Sequence, residues 1–227
     1  MKRILLAGAA VLALTTAQPV LAADAPVYKG PPPAAAALFN WSGFYIGVNG
    51  GGGWGTYSYV FPPDVGSSLS GWAIGGTLGW NWQAPGSNIV FGIEGDLDWT
   101  DIKGNSLCPN PVFTCNAKVN WLGTVRGRIG VAANTMLFYL TGGFATGQVE
   151  RESTDTGAVV TLTQRETATG WTAGGGVEVA FTNNMSGKLE YLYVDLNEKS
   201  FPGTGAFSTV NIGAKFSLVR VGLNWRF

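Results

Sequence analysis

From Trp41 onward, apolar and polar residues alternate one by one rather than recurring every third or fourth position. Between Gly71 and Gln83, Trp72, Ile74, Leu78, Trp80 and Trp82 share one parity, while Ala73, Gly75, Thr77, Gly79, Asn81 and Gln83 share the other. Successive side chains of a strand point to opposite faces, so this period of two predicts one bulky apolar face and one small, polar face. The same pattern sets Ile89, Phe91, Ile93, Leu97 and Trp99 against Gly92, Glu94, Asp96 and Asp98. It also sets Val119, Trp121, Val125, Ile129 and Val131 against Asn120, Thr124, Arg126 and Arg128. In residues 171–181, Trp171, Ala173, Val177, Val179 and Phe181 oppose Thr172, Gly174, Gly176 and Glu178.

Eight strands are predicted, over about 41–54, 71–83, 88–99, 119–132, 136–148, 170–181, 186–196 and 210–227. Their connections alternate: short at 84–87, 133–135 and 182–185, long at about 55–70, 100–118, 149–169 and 197–209. Odd-numbered strands begin roughly every 48 residues, and each period holds one hairpin. A propeller blade of similar length would need four strands per period. An even strand count with short turns at one end and long loops at the other is instead the pattern of an up-and-down transmembrane β-barrel.

Alternation does not say which face meets water. A soluble barrel hides its apolar face, whereas a membrane barrel turns it outward and keeps polar residues in the lumen. Trp54, Trp72, Trp80, Trp82, Trp99, Trp121, Trp171, Phe181 and Trp225 are too many bulky rings for one small interior, and they gather near strand ends as interfacial girdles do. The small-residue parity carries Glu94, Asp96, Asp98, Glu178 and Glu190 against Arg126, Arg128, Lys188, Arg220 and Arg226, five acids and five bases. Buried charges need partners, and this set supplies them. An antiparallel eight-stranded transmembrane barrel is therefore expected, with these ten residues as a lumen charge network that fills and plugs it.

Composition narrows the chemistry further. The 227 residues include 34 Gly and no His, which removes every Ser-His-Asp, Cys-His and His-metal scheme. No catalytic residue, metal site or cofactor is expected. The 14 basic and 14 acidic residues balance, unlike the basic surface of a nucleic-acid binder. Gly50-Gly51-Gly52-Gly53-Trp54-Gly55 lacks the Lys-Ser/Thr and the helix of a phosphate-binding loop.

The first residues read as an address. Met1-Lys2-Arg3 is a basic start, Ile4 to Ala17 an apolar run, and Val20-Leu21-Ala22 a cleavage site before Ala23. Residues 1–22 are expected to be a cleaved signal peptide, 23–40 a Pro/Ala-rich periplasmic lead-in, and 41–227 the barrel. Export places Cys108 and Cys115 where an even pair forms a disulfide, worth roughly 2–3 kcal/mol for so short a loop. A redox or metal pair would want CxxC spacing or further ligands.

Trp41-Ser42-Gly43-Phe44-Tyr45-Ile46-Gly47 with its Gly-rich continuation, Glu190-Tyr191-Leu192-Tyr193-Val194-Asp195, and the ending Val219 to Phe227 (VRVGLNWRF) resemble the small outer-membrane β-barrel proteins of alphaproteobacteria. This is the porin-like, immunogenic surface-protein family, similar in architecture to the transmembrane domain of outer-membrane protein A. The resemblance implies an eight-stranded barrel in the Gram-negative outer membrane, delivered by periplasmic chaperones and inserted by the barrel-assembly machinery. That machinery reads a last strand ending in aromatics, which Trp225 and Phe227 match. The expected role is structural and at the surface, with lipid as partner and the long loops open to an extracellular ligand. The alternative is a narrow porin-like channel for ions or small solutes.

Overall fold

A computed structural model describes residues 39–59, 65–107, 113–155, 160–203 and 209–227. The signal peptide and most of the lead-in lie outside the described residues, as does Cys108. Eight strands follow one another: β1 (Gly43–Tyr59), β2 (Val65–Gln83), β3 (Ile89–Leu107), β4 (Phe113–Ala133), β5 (Met136–Asp155), β6 (Val160–Ala180), β7 (Met185–Phe201) and β8 (Val210–Arg226). Each pairs antiparallel with the next, and β8 pairs back with β1 to close the barrel. Closure leaves no open edge through the barrel wall, as a sheet in lipid requires. The short turns use residues suited to them: Asn134 adopts φ 57° and Gly86 φ 73°, left-handed conformations that Asn and Gly tolerate.

The strands run 17 to 21 residues, and β1 to β7 exceed the 11 to 14 expected of them. Most of the first three expected long loops is hairpin, whereas of 197–209 only 197–201 is strand. The sequence hides this because polarity inverts above the outward aromatics while parity continues. On β8, Arg220, Asn224 and Arg226 face inward; further up, so do Ile212, Ala214, Phe216 and Leu218, with Lys215 exposed and Ser217 half-exposed on the other face. The register of β8 with β1 is continuous from Arg226 to Ile212. Parity does break on β4, where the register shifts between Val119 and Trp121. Val119 consequently points inward with Ala117 instead of sharing the outward face of Trp121.

Outward, the strands present apolar rows, exposed on seven of them and mostly half-buried on β6. On β1 it runs from Phe44 to Trp54, and on β2 from Trp82 to Trp72. Ten residue steps at about 3.3 Å, tilted by about 40°, give a band about 25 Å tall, the height of a transmembrane barrel's apolar belt. Rings close it at both ends: Phe44, Trp82, Phe91, Phe138 and Trp225 at the short-turn end, Trp54, Trp72, Trp99 and Trp171 at the other.

Above the belt, the rim divides. Pairing between β6 and β7 stops at Gly170 opposite Leu196, although β6 continues beside β5 to Val160. The β7–β8 register shifts between Leu196 and Lys199, an irregularity of the kind that bends a strand.

Candidate functional site

The interior is the place where the fold gathers chemistry. Inward positions carry three successive layers. At the short-turn end, Trp41 lies 1% exposed among Val90, Ala132, Leu137, Tyr139 and Ala180, with Phe39 against them. Its backbone N–H donates to Gln83 Oε1 at 2.8 Å, and Ser42 Oγ accepts from the Gln83 N–H at 2.9 Å. These contacts hold the start of the folded chain across the mouth.

The middle layer is ionic. Register places Glu94 opposite Arg126, Glu178 opposite Lys188 and Glu190 opposite Arg220. Arg126 binds Glu94 and Asp96 on its own side and reaches Glu190 across the lumen at 3.1 Å. Arg220 binds Glu190 at 2.7 Å, Asp98 at 2.8 Å and Asp96 at 3.0 Å. Arg128 binds Glu178 at 2.8 Å and Glu94 at 3.4 Å, and Lys188 Nζ lies 3.0 Å from Glu94. All nine side chains are buried. Because each Arg spans two or three carboxylates from different strands, the layer is one network stapling β3, β4, β6, β7 and β8 together.

Arg226, the tenth charge singled out in the sequence, stands apart. Its guanidinium donates to the carbonyls of Asn40 and Asn183 and stacks over Phe39 and Trp41, at 4.7 and 5.1 Å from the ring centroids. The network proper therefore holds five acids and four bases. Neutral donors help to satisfy the carboxylates: Tyr45 and Thr77 donate to Glu94 and Asp96, Tyr139 to Glu190, and Ser186 and Asn224 to Glu178. Arg128 also sits 4.1 Å from the Tyr139 ring centroid, a cation–π contact. Sequence reasoning missed these partners although they lie on the charged parity; an apolar ring hid the hydroxyls of Tyr45 and Tyr139. Glycine makes their space. The Tyr45 ring passes over Gly79, and a Cβ at Gly176 would stand 2.7 Å from the Tyr139 hydroxyl.

The third layer is apolar and was not anticipated at all. Above the Glu190–Arg220 pair, the next inward pair is Leu192 with Leu218, then Val194 with Phe216 and Leu196 with Ala214. Together with Tyr57, Leu69, Ile102, Leu122, Val149 and Phe201 they form one buried cluster filling the upper lumen.

The other marked residues lie elsewhere. Cys115 falls opposite Ser106 in the β3–β4 hairpin, and its pairing with Cys108 lies outside the described residues. Trp225 is exposed on the short-turn girdle, and the Phe227 N–H donates to Phe44 O at 3.0 Å across the closing seam.

Comparison with known proteins places this geometry. Residues 7–227 match the model of the outer membrane protein beta-barrel domain. The 31 kDa outer-membrane immunogenic protein of Brucella melitensis is 35% identical over 246 aligned residues, covering 100% of both chains. The 22 kDa outer membrane protein of Rhizobium leguminosarum bv. viciae is 36% identical, over 83% of this chain and 79% of its own. The crystal structure of the outer membrane protein OprG from Pseudomonas aeruginosa superimposes with a TM-score of 0.49 at 12% identity, covering 82% of this chain and 96% of that one.

Proposed function

The chain belongs to the outer membrane protein beta-barrel family, and from that premise we propose that it works as a sealed structural barrel, which strengthens the outer membrane and displays its long hairpins outside the cell. It is an integral protein of the Gram-negative outer membrane, with lipid around its belt. The observation that carries the finer reading is the layered interior. Trp41, the ionic network and the Leu192–Phe216–Leu218 cluster occupy successive levels of one lumen, so water and ions meet three barriers of different chemistry. A narrow channel would need a continuous polar path, and the upper cluster interrupts it.

The reading is also non-enzymatic. A chain without His lacks the usual acid–base partner, and each of the five network carboxylates is ion-paired rather than poised for proton transfer. The signal peptide at 1–22, the Cys108–Cys115 disulfide and recognition of Trp225 and Phe227 by the assembly machinery remain part of this proposal. So does a role for the outer hairpins as a surface seen by an immune system; the Brucella melitensis relative is named an outer-membrane immunogenic protein.

Planar-bilayer recording of the refolded protein tests the seal. The intact barrel is expected to show no steady conductance steps. Neutralising Arg126 and Arg128 alone should leave it silent as well, because the apolar layer stays closed. Reproducible steps from the unaltered protein would make it a pore.

The lipid face makes a second, independent expectation. Val221 lies mid-belt and 61% exposed, between Val219 and Leu223. Val221→Arg should cost about 2–4 kcal/mol, the penalty of a cation at the bilayer midplane, read as a lower urea midpoint in lipid vesicles. An unchanged midpoint would contradict the outward orientation.

A further inference from the structure

On β3, β4 and β5 the outward face turns from aromatic to charged just above the upper ring of the belt. Lys103 on β3 stands directly opposite Lys118 on β4, and Lys118 is in turn opposite Glu150 on β5. With Asn116, Ala117 and Glu152 they line a pocket of about 140 Å³, the volume of roughly four or five waters. Its cations lie on the β3–β4 side and its carboxylates on β5. Lys103 is four residues beyond Trp99, and four steps along a strand tilted by about 40° climb about 10 Å. A headgroup layer roughly 5–8 Å thick covers each side of the hydrocarbon core, and a lysine chain is long enough to bring its ammonium into it.

These charges keep binding capacity in hand. Like charges directly opposite on paired strands repel, and the two lysines share one carboxylate: an oxygen of Asp101 lies 3.1 Å from each Nζ. An ammonium has three donors, and these side chains are 62% and 40% exposed, so both keep donors for a further acceptor. On the facing wall, Arg165 Nε and Asn120 Nδ2 both donate to the same oxygen of Glu150, Oε2, at 2.7 and 2.8 Å. Glu152 has no ion pair among the described residues. Lys103, Lys118 and Arg165 balance Asp101, Glu150 and Glu152, so the patch carries no net charge but has two separate poles.

We infer that this pocket holds the headgroup of an outer-leaflet lipid that carries both a phosphate and a primary amine. The phosphate bridges Lys103 and Lys118 and offsets their repulsion, and the amine donates to Glu150 and Glu152. A purely anionic head meets the same lysines but is set against the two glutamates, whereas a head of both signs finds a partner at each pole. Below the pocket the exposed Trp99 continues into the belt, so the acyl chains of the same molecule lie on a surface already given to lipid. Lys215 and Asp195, 3.2 Å apart on β8 and β7, form a one-to-one pair and provide a contrast. The inference rests on the long hairpins facing outward and not on the lumen being sealed, so a conducting barrel would leave it standing.

The test uses the full-length folded protein in detergent micelles, with an equimolar mixture of phosphatidylethanolamine, phosphatidylcholine and phosphatidylglycerol as probe. Native mass spectrometry counts the lipids that stay bound. Phosphatidylethanolamine is expected to be retained about tenfold better than the other two, the worth of one hydrogen bond to a charged group. Choline has no N–H to donate, and glycerol has no cation. Glu150→Gln/Glu152→Gln should lose the preference over phosphatidylcholine, while Lys103→Gln/Lys118→Gln should weaken retention of both. Lys215→Gln should change nothing. Equal retention of the three lipids, a preference for phosphatidylglycerol, or an undiminished preference in the glutamate variant would overturn the proposal. Displacement of the lipid by an equal concentration of soluble phosphoethanolamine would make the ligand a free solute, and would overturn it as well.

Discussion

Arg220→Met will lower the stability of the folded barrel by about 3–5 kcal/mol, the usual consequence of removing one partner from a buried ionic cluster. Arg220 is the one residue in direct ion-pair contact with Asp98 among the described residues, and it also serves Asp96 and Glu190. Methionine would fill much of the volume, so the loss would come from Asp98 left without a cation, and from Asp96 and Glu190 left with Arg126 alone, in a water-poor interior rather than from a cavity. Arg220→Lys would keep the charge without the fork that reaches several carboxylates, and should lose less. Arg226→Met provides the contrast. That guanidinium contacts carbonyls and rings, and its loss should cost about 0.5–2 kcal/mol. Urea unfolding in vesicles, followed by tryptophan fluorescence, ranks the three. Equal effects of Arg220→Met and Arg226→Met would show that the network is not what holds the middle layer.

Trp41→Ala should approach the first in size, at about 3–5 kcal/mol for emptying a fully buried indole site. The ring fills the mouth between Val90, Ala132, Leu137 and Ala180 and carries the Arg226 guanidinium on its face. Removal would create a cavity and strip Arg226 of half its stacking. The bilayer should nevertheless remain silent, because the ionic and apolar layers lie above. Stability and conductance are thus expected to separate in this variant. An increase in conductance from Trp41→Ala alone would mean that the upper layers do not seal.

Much of this barrel was legible in the sequence where each strand face has a single character. Trp72 to Trp82 on β2 and Ile89 to Trp99 on β3 alternate against small or charged residues, and those rows are the outward and inward faces of the structure. The charged parity likewise marked nine residues that the fold joins in one network. What the pattern concealed was the change in the inward row along a strand. Leu192, Val194 and Leu196 occupy the same inward row as Lys188 and Glu190, yet they are apolar because they pack into the buried cluster of the upper lumen. A reading that equates apolar with outward fails there and at Phe216, which is buried on the inward face. Arg226 misled for a related reason: parity fixes the face but not the height, and this residue sits below the carboxylates, at the mouth.

The closing seam brings all this to bear on how the protein is made. β8 supplies Arg220 to the ionic layer, Phe216 and Leu218 to the apolar one, and Arg226 to the stack beneath Trp41. No level of the interior is complete until this final strand has met β1. A nascent or truncated chain lacking it would hold Asp98 and Glu190 beside an unfilled core, with two open edges and no stable seven-stranded resting state. Maturation should then be all-or-none, with the periplasm holding such chains as substrates for proteolysis rather than as partly folded stores.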